Sequence, residues 1–226
     1  MSEKEVVKTI TGQTLRRMPY YLNYLRGLQM EEVSEIAASK MAAALQLNEI
    51  QVRKDLASIS SVPGKPKHGF PVDNLIDDIE HFLGYRNTND AVLVGAGSLG
   101  HALMSFSEFA NYGLNIAAAF DADPSKDGET IAGKPILSMD KLEPVCRRTD
   151  IKIGIITVPA SAAQSVCDQL VQSGIRGIWN FAPVKLSVPE GILVQNENMA
   201  ASLAILSQHL REVVEKENAD QAGHEN

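Results

Sequence analysis

Apolar residues fall at helical spacing through the first third of the chain and in short runs thereafter. Over 14–28, Leu15, Met18, Leu22, Leu25 and Leu28 recur every three or four residues, which predicts a helix with an irregular first turn or kink at Pro19. A polar loop, 29–35, follows. Ser39 is placed to cap a short helix over 40–45, and Asn48 to cap another over 49–59 after a turn at Gln46-Leu47. Two short helices across so tight a turn outline a helix-turn-helix. Segment 60–70 carries Pro63-Gly64-Lys65-Pro66-Lys67-His68-Gly69 at its tip, a stiff and exposed hairpin that reads as a wing. Leu75, Ile76, Ile79, Phe82 and Leu83 then share one face of 71–84, a helix ended by Gly84.

After a polar linker, 85–90, the rhythm changes. Apolar runs at 91–94, 115–120, 151–157 and 175–180 read as buried parallel strands. Helical patterns at 99–111, 139–147 and 160–173 separate them, and a last helix spans 199–216. Strand–helix–strand alternation means an α/β domain with a doubly wound parallel sheet. The expected organisation is therefore a winged-helix domain (1–84), an α/β domain (85–197), a terminal helix (198–217) and a polar tail (218–226).

Composition adds a compartment and a polarity. No apolar run is long enough for a membrane span, and the charged N-terminus lacks the apolar stretch of a signal peptide. Cys146 and Cys167 are the only cysteines, without metal-ligand spacing, so no disulfide framework or metal site is expected and the cytoplasm is the default. The net charge of −7 is unevenly spread: residues 1–70 carry ten Lys/Arg against seven Asp/Glu, the rest eleven against twenty-one. The basic head is the end suited to nucleic acid.

The strongest motif is Gly95-Ala96-Gly97-Ser98-Leu99-Gly100, between a strand and a helix. Its first glycine permits a tight turn, its second lets a pyrophosphate approach the backbone, and its third lets helix pack on strand. The helix N-terminus supplies free N–H groups to the phosphates. The next strand ends in Phe120-Asp121, with Asp121 twenty-six residues after Gly95. A carboxylate there accepts from the adenosine ribose hydroxyls and repels a 2′-phosphate, so the pattern is that of a Rossmann domain for NAD(H). Thr157-Val158-Pro159 and Asn180-Phe181-Ala182-Pro183 sit at later strand ends, where either contact with the nicotinamide half or a plain turn role is open. No Tyr-x-x-x-Lys pair or well-placed histidine supplies a catalytic acid, and only 43 residues follow Pro183. No catalytic residue is assigned. A nicotinamide-dependent oxidoreductase and a CoA- or nucleotide-binding subunit remain the alternatives to a sensor.

On the basic head, Gln51, Arg53, Lys54 and Ser58 lie on the expected recognition helix, which reads base edges from its N-terminal part. Arg17 is a candidate DNA contact, Ser39 a candidate phosphate contact through a helix N-terminus, and Lys65 and Lys67 in the wing are candidates for a minor groove. Near the other end Met199, Leu203, Leu206, Leu210 and Val213 form a narrow apolar seam, suited to a helix–helix interface or to the domain's own core.

Gln51–Leu56 (QVRKDL), the glycine motif, Phe120-Asp121-Ala122-Asp123-Pro124, Thr157-Val158-Pro159-Ala160 and Asn180-Phe181-Ala182-Pro183-Val184 occur in that order. Together they resemble the Rex family of redox-sensing transcriptional repressors over nearly the whole chain. The resemblance implies a homodimer bound to double-stranded operator DNA with an inverted repeat, released by NADH with NAD+ competing. It also implies that the last helix is exchanged between subunits, bringing Asn198 and Met199 to the partner's nicotinamide site. The chain departs from the family pattern after Leu56, where Ala57-Ser58-Ile59-Ser60 stands in place of Ser-Tyr-Phe-Gly. It also has Asn23, Phe106 and Asn198 where the family often has a switch of Arg, Tyr and Asp. Losing both charges together removes an ion pair without stranding one partner.

Overall fold

The computed structural model describes residues 11–66, 68–86 and 89–224, with side chains up to 216. The chain divides into two compact units, Met1–Asn87 with Asn111–Gly113, and Thr88–Ala110 with Leu114–Asn226.

The first unit contains α1 (Gly12–Met30), β1 (Glu35–Ile36), α2 (Ala38–Ala44), α3 (Glu49–Ile59), β2 (Phe70–Pro71) and α4 (Val72–Leu83). The apolar stripes converge on one core in which Met18, Tyr21, Leu25, Met41, Val52, Leu56, Leu75 and Ile79 are fully buried. This burial carries α1 through Pro19, which lies inside the helix rather than at a break, and with Thr11 as its cap the helix begins at Gly12, two residues before the expected start. Leu15, expected in the core, is 46% exposed. Asn48 caps α3 as expected, its Oδ1 accepting from the Gln51 amide at 3.2 Å. Ser39 does not cap α2: Ala37 holds that position without a side-chain bond, and Ser39 lies in the first turn. α4 ends in Gly84 with φ +72°, as its position predicted. The wing closes where Lys65 and Gly69 bridge, and β2 returns antiparallel to β1. Gly69 has φ +91°, and a Cβ there would stand 2.2 Å from the Ile36 carbonyl oxygen, so only glycine allows the wing this close to β1.

The second unit is a seven-stranded sheet of β3 (Asn89–Val94), β4 (Leu114–Asp121), β5 (Thr130–Ile131), β6 (Lys134–Ser138), β7 (Ile153–Ile156), β8 (Gly177–Asn180) and β9 (Leu193–Asn196), in the order β5-β6-β4-β3-β7-β8-β9. All pairings are parallel except β5 with β6. Helices α5 (Ser98–Ser105), α6 (Leu142–Thr149) and α7 (Ala160–Gln172) connect the strands, and α8 (Met199–His224) ends the chain. Alternate residues of β3 enter opposite cores, Val92 and Val94 on one face, Ala91 and Leu93 on the other. That is the doubly wound arrangement, and strand order reverses between β3 and β7, where such sheets open a ligand crevice.

The four apolar runs became β3, β4, β7 and β8. The sequence pattern did not resolve β5, β6 and β9, short strands of two to five residues at the two ends of the sheet, with β5 and β9 at its edges. The helix expected over 99–111 stops at Ser105 and continues as a 3₁₀ turn, Ser107–Tyr112. A polar tail from 218 is corrected: α8 runs on to His224, because the residues there include good helix formers and no proline or turn pair interrupts them.

Candidate dinucleotide cleft and DNA-reading surface

The crevice lies where the sheet reverses. Gly95 leaves β3 at φ +106°, and a Cβ on it would meet Val158 Cγ1 at 2.9 Å and the Thr157 carbonyl carbon at 3.0 Å. A Cβ on Gly100 would stand 2.0 Å from the Gly95 carbonyl oxygen, so α5 packs onto the turn only through glycine. Gly97 differs, since a Cβ there meets nothing within 4 Å. The bare backbone at that point faces open space beside the start of α5, the place a pyrophosphate needs. The Thr157 hydroxyl faces the Val94 and Gly95 carbonyls at 3.1 and 2.7 Å, which ties β7 to the glycine turn, and Thr157 also lines the crevice.

Asp121 ends β4 at the mouth of this crevice. Its Oδ2 accepts from the Ala96 amide at 2.8 Å and from Lys126 Nζ at 2.8 Å, and its Oδ1 from the Asp123 amide at 2.9 Å. Burial pushes the carboxyl up, but the bonds from Lys126 and the two amides outweigh it and hold it below the usual carboxylate range. Gly95, Gly97, Asp121, Lys126, Val158 and Pro159 are among the residues lining a cavity of about 580 Å³. Lys126 was missed from the sequence. The signal was present in Asp123-Pro124-Ser125-Lys126, where a one-turn 3₁₀ helix begins at a capping Asp and turns the lysine back toward the strand tip.

Ala182, Pro183 and Asn198 line a second, smaller cavity of about 260 Å³. Asn180 does not reach either one. It is fully buried, with Nδ2 facing the Ala182 and Val184 carbonyls and Asn196 Oδ1, and its Oδ1 accepts from the Ala182 amide. Expected as a contact, it is instead the staple of the 180–184 loop. Phe181 joins an aromatic row: Phe106–Phe109, Phe109–Trp179 and Trp179–Phe181 have ring centroids 4.9, 5.7 and 4.9 Å apart. Such edge and tilted contacts fix ring orientation. Phe106, at one of the three switch positions, is 45% exposed at the end of that row.

In the first unit the expected DNA contacts separate into two groups. Arg17 is turned inward, donating Nε to Asp55 Oδ2 at 2.8 Å and Nη2 to Asp55 Oδ1 at 3.1 Å. Asp55, 6% exposed, also accepts from Thr14 Oγ1 and from Tyr21 Oη at 3.1 and 2.9 Å. With its oxygen toward the guanidinium, the Gln51 amide accepts from Arg17 Nη1 and Nη2 at 3.1 and 2.9 Å. Arg17, expected as a DNA contact, is instead the strut between α1 and α3, and Gln51 is partly held by it. Ser58 donates to the Asp55 carbonyl of its own helix at 2.6 Å. Arg53 is exposed and pairs with Glu49 one turn earlier. Lys54, Ser39 and Lys65 are exposed, and so is Ile50 at 63%, which the sequence reading passed over. Lys67 lies outside the described residues, and Asn23 is exposed on α1. A groove of about 720 Å³ runs between Ser39, Arg53, Ala57, Lys65 and Phe70, joining both helices to the wing.

Residues 9–57 match a family described as putative DNA-binding protein N-terminus, and residues 86–184 one described as CoA binding domain. The redox-sensing transcriptional repressor Rex of Treponema denticola is 40% identical over 88% of this chain and 94% of its own. The chain belongs to the Rex family. Rex of Brevibacillus brevis is 40% identical over 89% of this chain and 97% of its own, and that of Streptomyces coelicolor 39% over 88% and 77%. The Rex-family repressor RSP, solved with beta-NAD+ and operator DNA, is 30% identical with a TM-score of 0.85, over 94% of this chain and 98% of that one. RSP solved with beta-NADH is 29% identical with a TM-score of 0.83, over 93% and 98%. These Rex proteins are named as redox-sensing transcriptional repressors, the family that the sequence resembles.

Proposed function

We propose that the chain is an NAD(H)-responsive transcriptional repressor that reports the NADH/NAD+ ratio, without catalysis of its own. Support comes first from the cleft: an open backbone at Gly97, the N-terminus of α5 and the Asp121 carboxylate at the ribose end. The nicotinamide half falls to Val158, Pro159, Phe181, Ala182 and Pro183. In the first unit the reading residues are Lys54 and Arg53, with Ser39 and Lys65 on phosphates.

Operator binding is dimeric, and α8 is the clasp. Every residue from Met199 to Lys216 is exposed, and Met199, Leu203, Leu206 and Leu210 each expose 61–63%. The seam therefore does not pack on its own domain, and a second copy of the same helix region is the partner that would bury it. Among the described residues no helix is long and apolar enough to cross a membrane. The expected compartment is the cytoplasm.

The test is a gel shift on the inverted repeat upstream of the chain's own gene. Retardation that NADH abolishes and NAD+ restores is the expected result. Binding indifferent to both nucleotides, or steady hydride transfer to a small carbonyl compound, overturns the reading.

A further inference from the structure

Lys126 occupies the place that the ribose diol needs. A carboxylate offers about four lone-pair positions. On Asp121 three are taken, by Ala96, Asp123 and Lys126, so one remains for two hydroxyl groups. The two amides belong to backbone that holds the strand tip and the glycine turn. The lysine does not: its side chain is 29% exposed, reaches back from a one-turn helix and lines the same cavity, with a second, longer contact to the Ala96 carbonyl at 3.4 Å. It is the displaceable member of the set.

We infer that Lys126 is a specificity-determining residue of the dinucleotide site, competing with the adenosine ribose for Asp121 and offsetting that carboxylate's repulsion of a 2′-phosphate. Nucleotide entry moves Nζ off Oδ2 and leaves a cation within a side chain's reach of the ribose. The pair's net charge is near zero, so the exclusion of NADPH is weaker than a lone aspartate provides. Lys126 is also the ready partner for a phosphate once Asp121 is neutral. This rests on the assignment of the cleft to NAD(H).

The experiment titrates NADH and NADPH against the full-length wild type, Lys126→Met, Asp121→Asn and the double variant, following nucleotide fluorescence. NADH and NADPH release of operator DNA is a second readout. Methionine keeps the aliphatic stem and removes only the charge. Lys126→Met should tighten NADH and widen the NADPH/NADH ratio of dissociation constants by roughly fivefold or more, about what one unit charge a few ångströms away exerts even in water. Asp121→Asn should shrink the ratio, and adding Lys126→Met to it should cost the regained NADPH binding. A ratio in Lys126→Met within about twofold of the wild type overturns the role of Lys126. So does an Asp121→Asn protein whose NADPH affinity is indifferent to Lys126. If the wild type binds neither nucleotide, the assignment of the cleft fails instead.

Discussion

Replacing Asp55 with alanine tests whether the reading helix is held by a buried charge. The carboxylate takes two bonds from Arg17, one from Thr14 and one from the fully buried Tyr21. Removing one partner of a buried ion pair costs about 3–5 kcal/mol, because the other charge is left without compensation. Here Arg17 keeps the Gln51 oxygen and is 15% exposed, which relieves part of that cost. Tyr21 keeps Arg17 beside its oxygen but loses the acceptor for its hydroxyl hydrogen, and an unsatisfied buried donor costs roughly 1–3 kcal/mol within the same total. A loss of about 3–4 kcal/mol follows, or roughly 12–30 °C in the melting of a unit of this size. The assay uses the chain's own fluorophores. All five tyrosines, Tyr20, Tyr21, Tyr24, Tyr85 and Tyr112, belong to the first unit, and the single tryptophan, Trp179, to the second. Tyrosine emission should report a first-unit transition moved far down, while tryptophan emission reports an unchanged second unit. If the first unit of Asp55→Ala melts within about 1 kcal/mol of the wild type, the strut is not structural and Arg17 returns to the list of DNA contacts.

Three further outcomes are expected. Burial, with Asp55 adding to it, raises the Tyr21 phenol from 10.0 to about 12, so the folded state holds its proton more tightly than the unfolded chain. The stability this contributes is complete below pH 10 and is lost as pH rises toward 12. In alkaline denaturation Tyr21→Phe should therefore remove that loss from the first unit, and an identical pH profile in the variant contradicts the assignment. Leu206→Asp puts a charge in the exposed seam of α8 and should dissociate the dimer and abolish operator binding while Trp179 emission stays native; light scattering that still reports a dimer rules out the clasp. Gly100→Ala places a Cβ 2.0 Å from the Gly95 carbonyl oxygen and should weaken NADH by at least about tenfold, read by fluorescence titration. An unchanged affinity means that the nucleotide does not use this turn.

The sequence by itself determined the elements that repeat a period and the motif that dictates a backbone. The stripe of α1, the cap at Asn48, the four buried strands and the glycine turn were legible because each follows from local spacing and local conformational freedom. It also placed Asp121 at a strand tip. What it could not decide is where a charged side chain spends its hydrogen bonds. Arg17 and Lys126 look alike in a linear chain, as cations near a functional motif. The tertiary structure turned one inward onto Asp55, 38 residues away, and the other back onto Asp121. The Thr157 hydroxyl was likewise claimed by the Val94 and Gly95 carbonyls, brought close only when the sheet assembled, and Asn180 by Asn196 of the neighbouring strand together with carbonyls of its own loop. The short strands β5, β6 and β9 lacked an apolar period long enough to read and exist because neighbouring strands offer unpaired backbone groups. The seam of α8 is the reverse case: periodicity showed that it must be covered, and only its full exposure in the folded chain showed that its own domain does not cover it. Covalent neighbours set conformation, but burial and charge pairing are properties of the assembled surface.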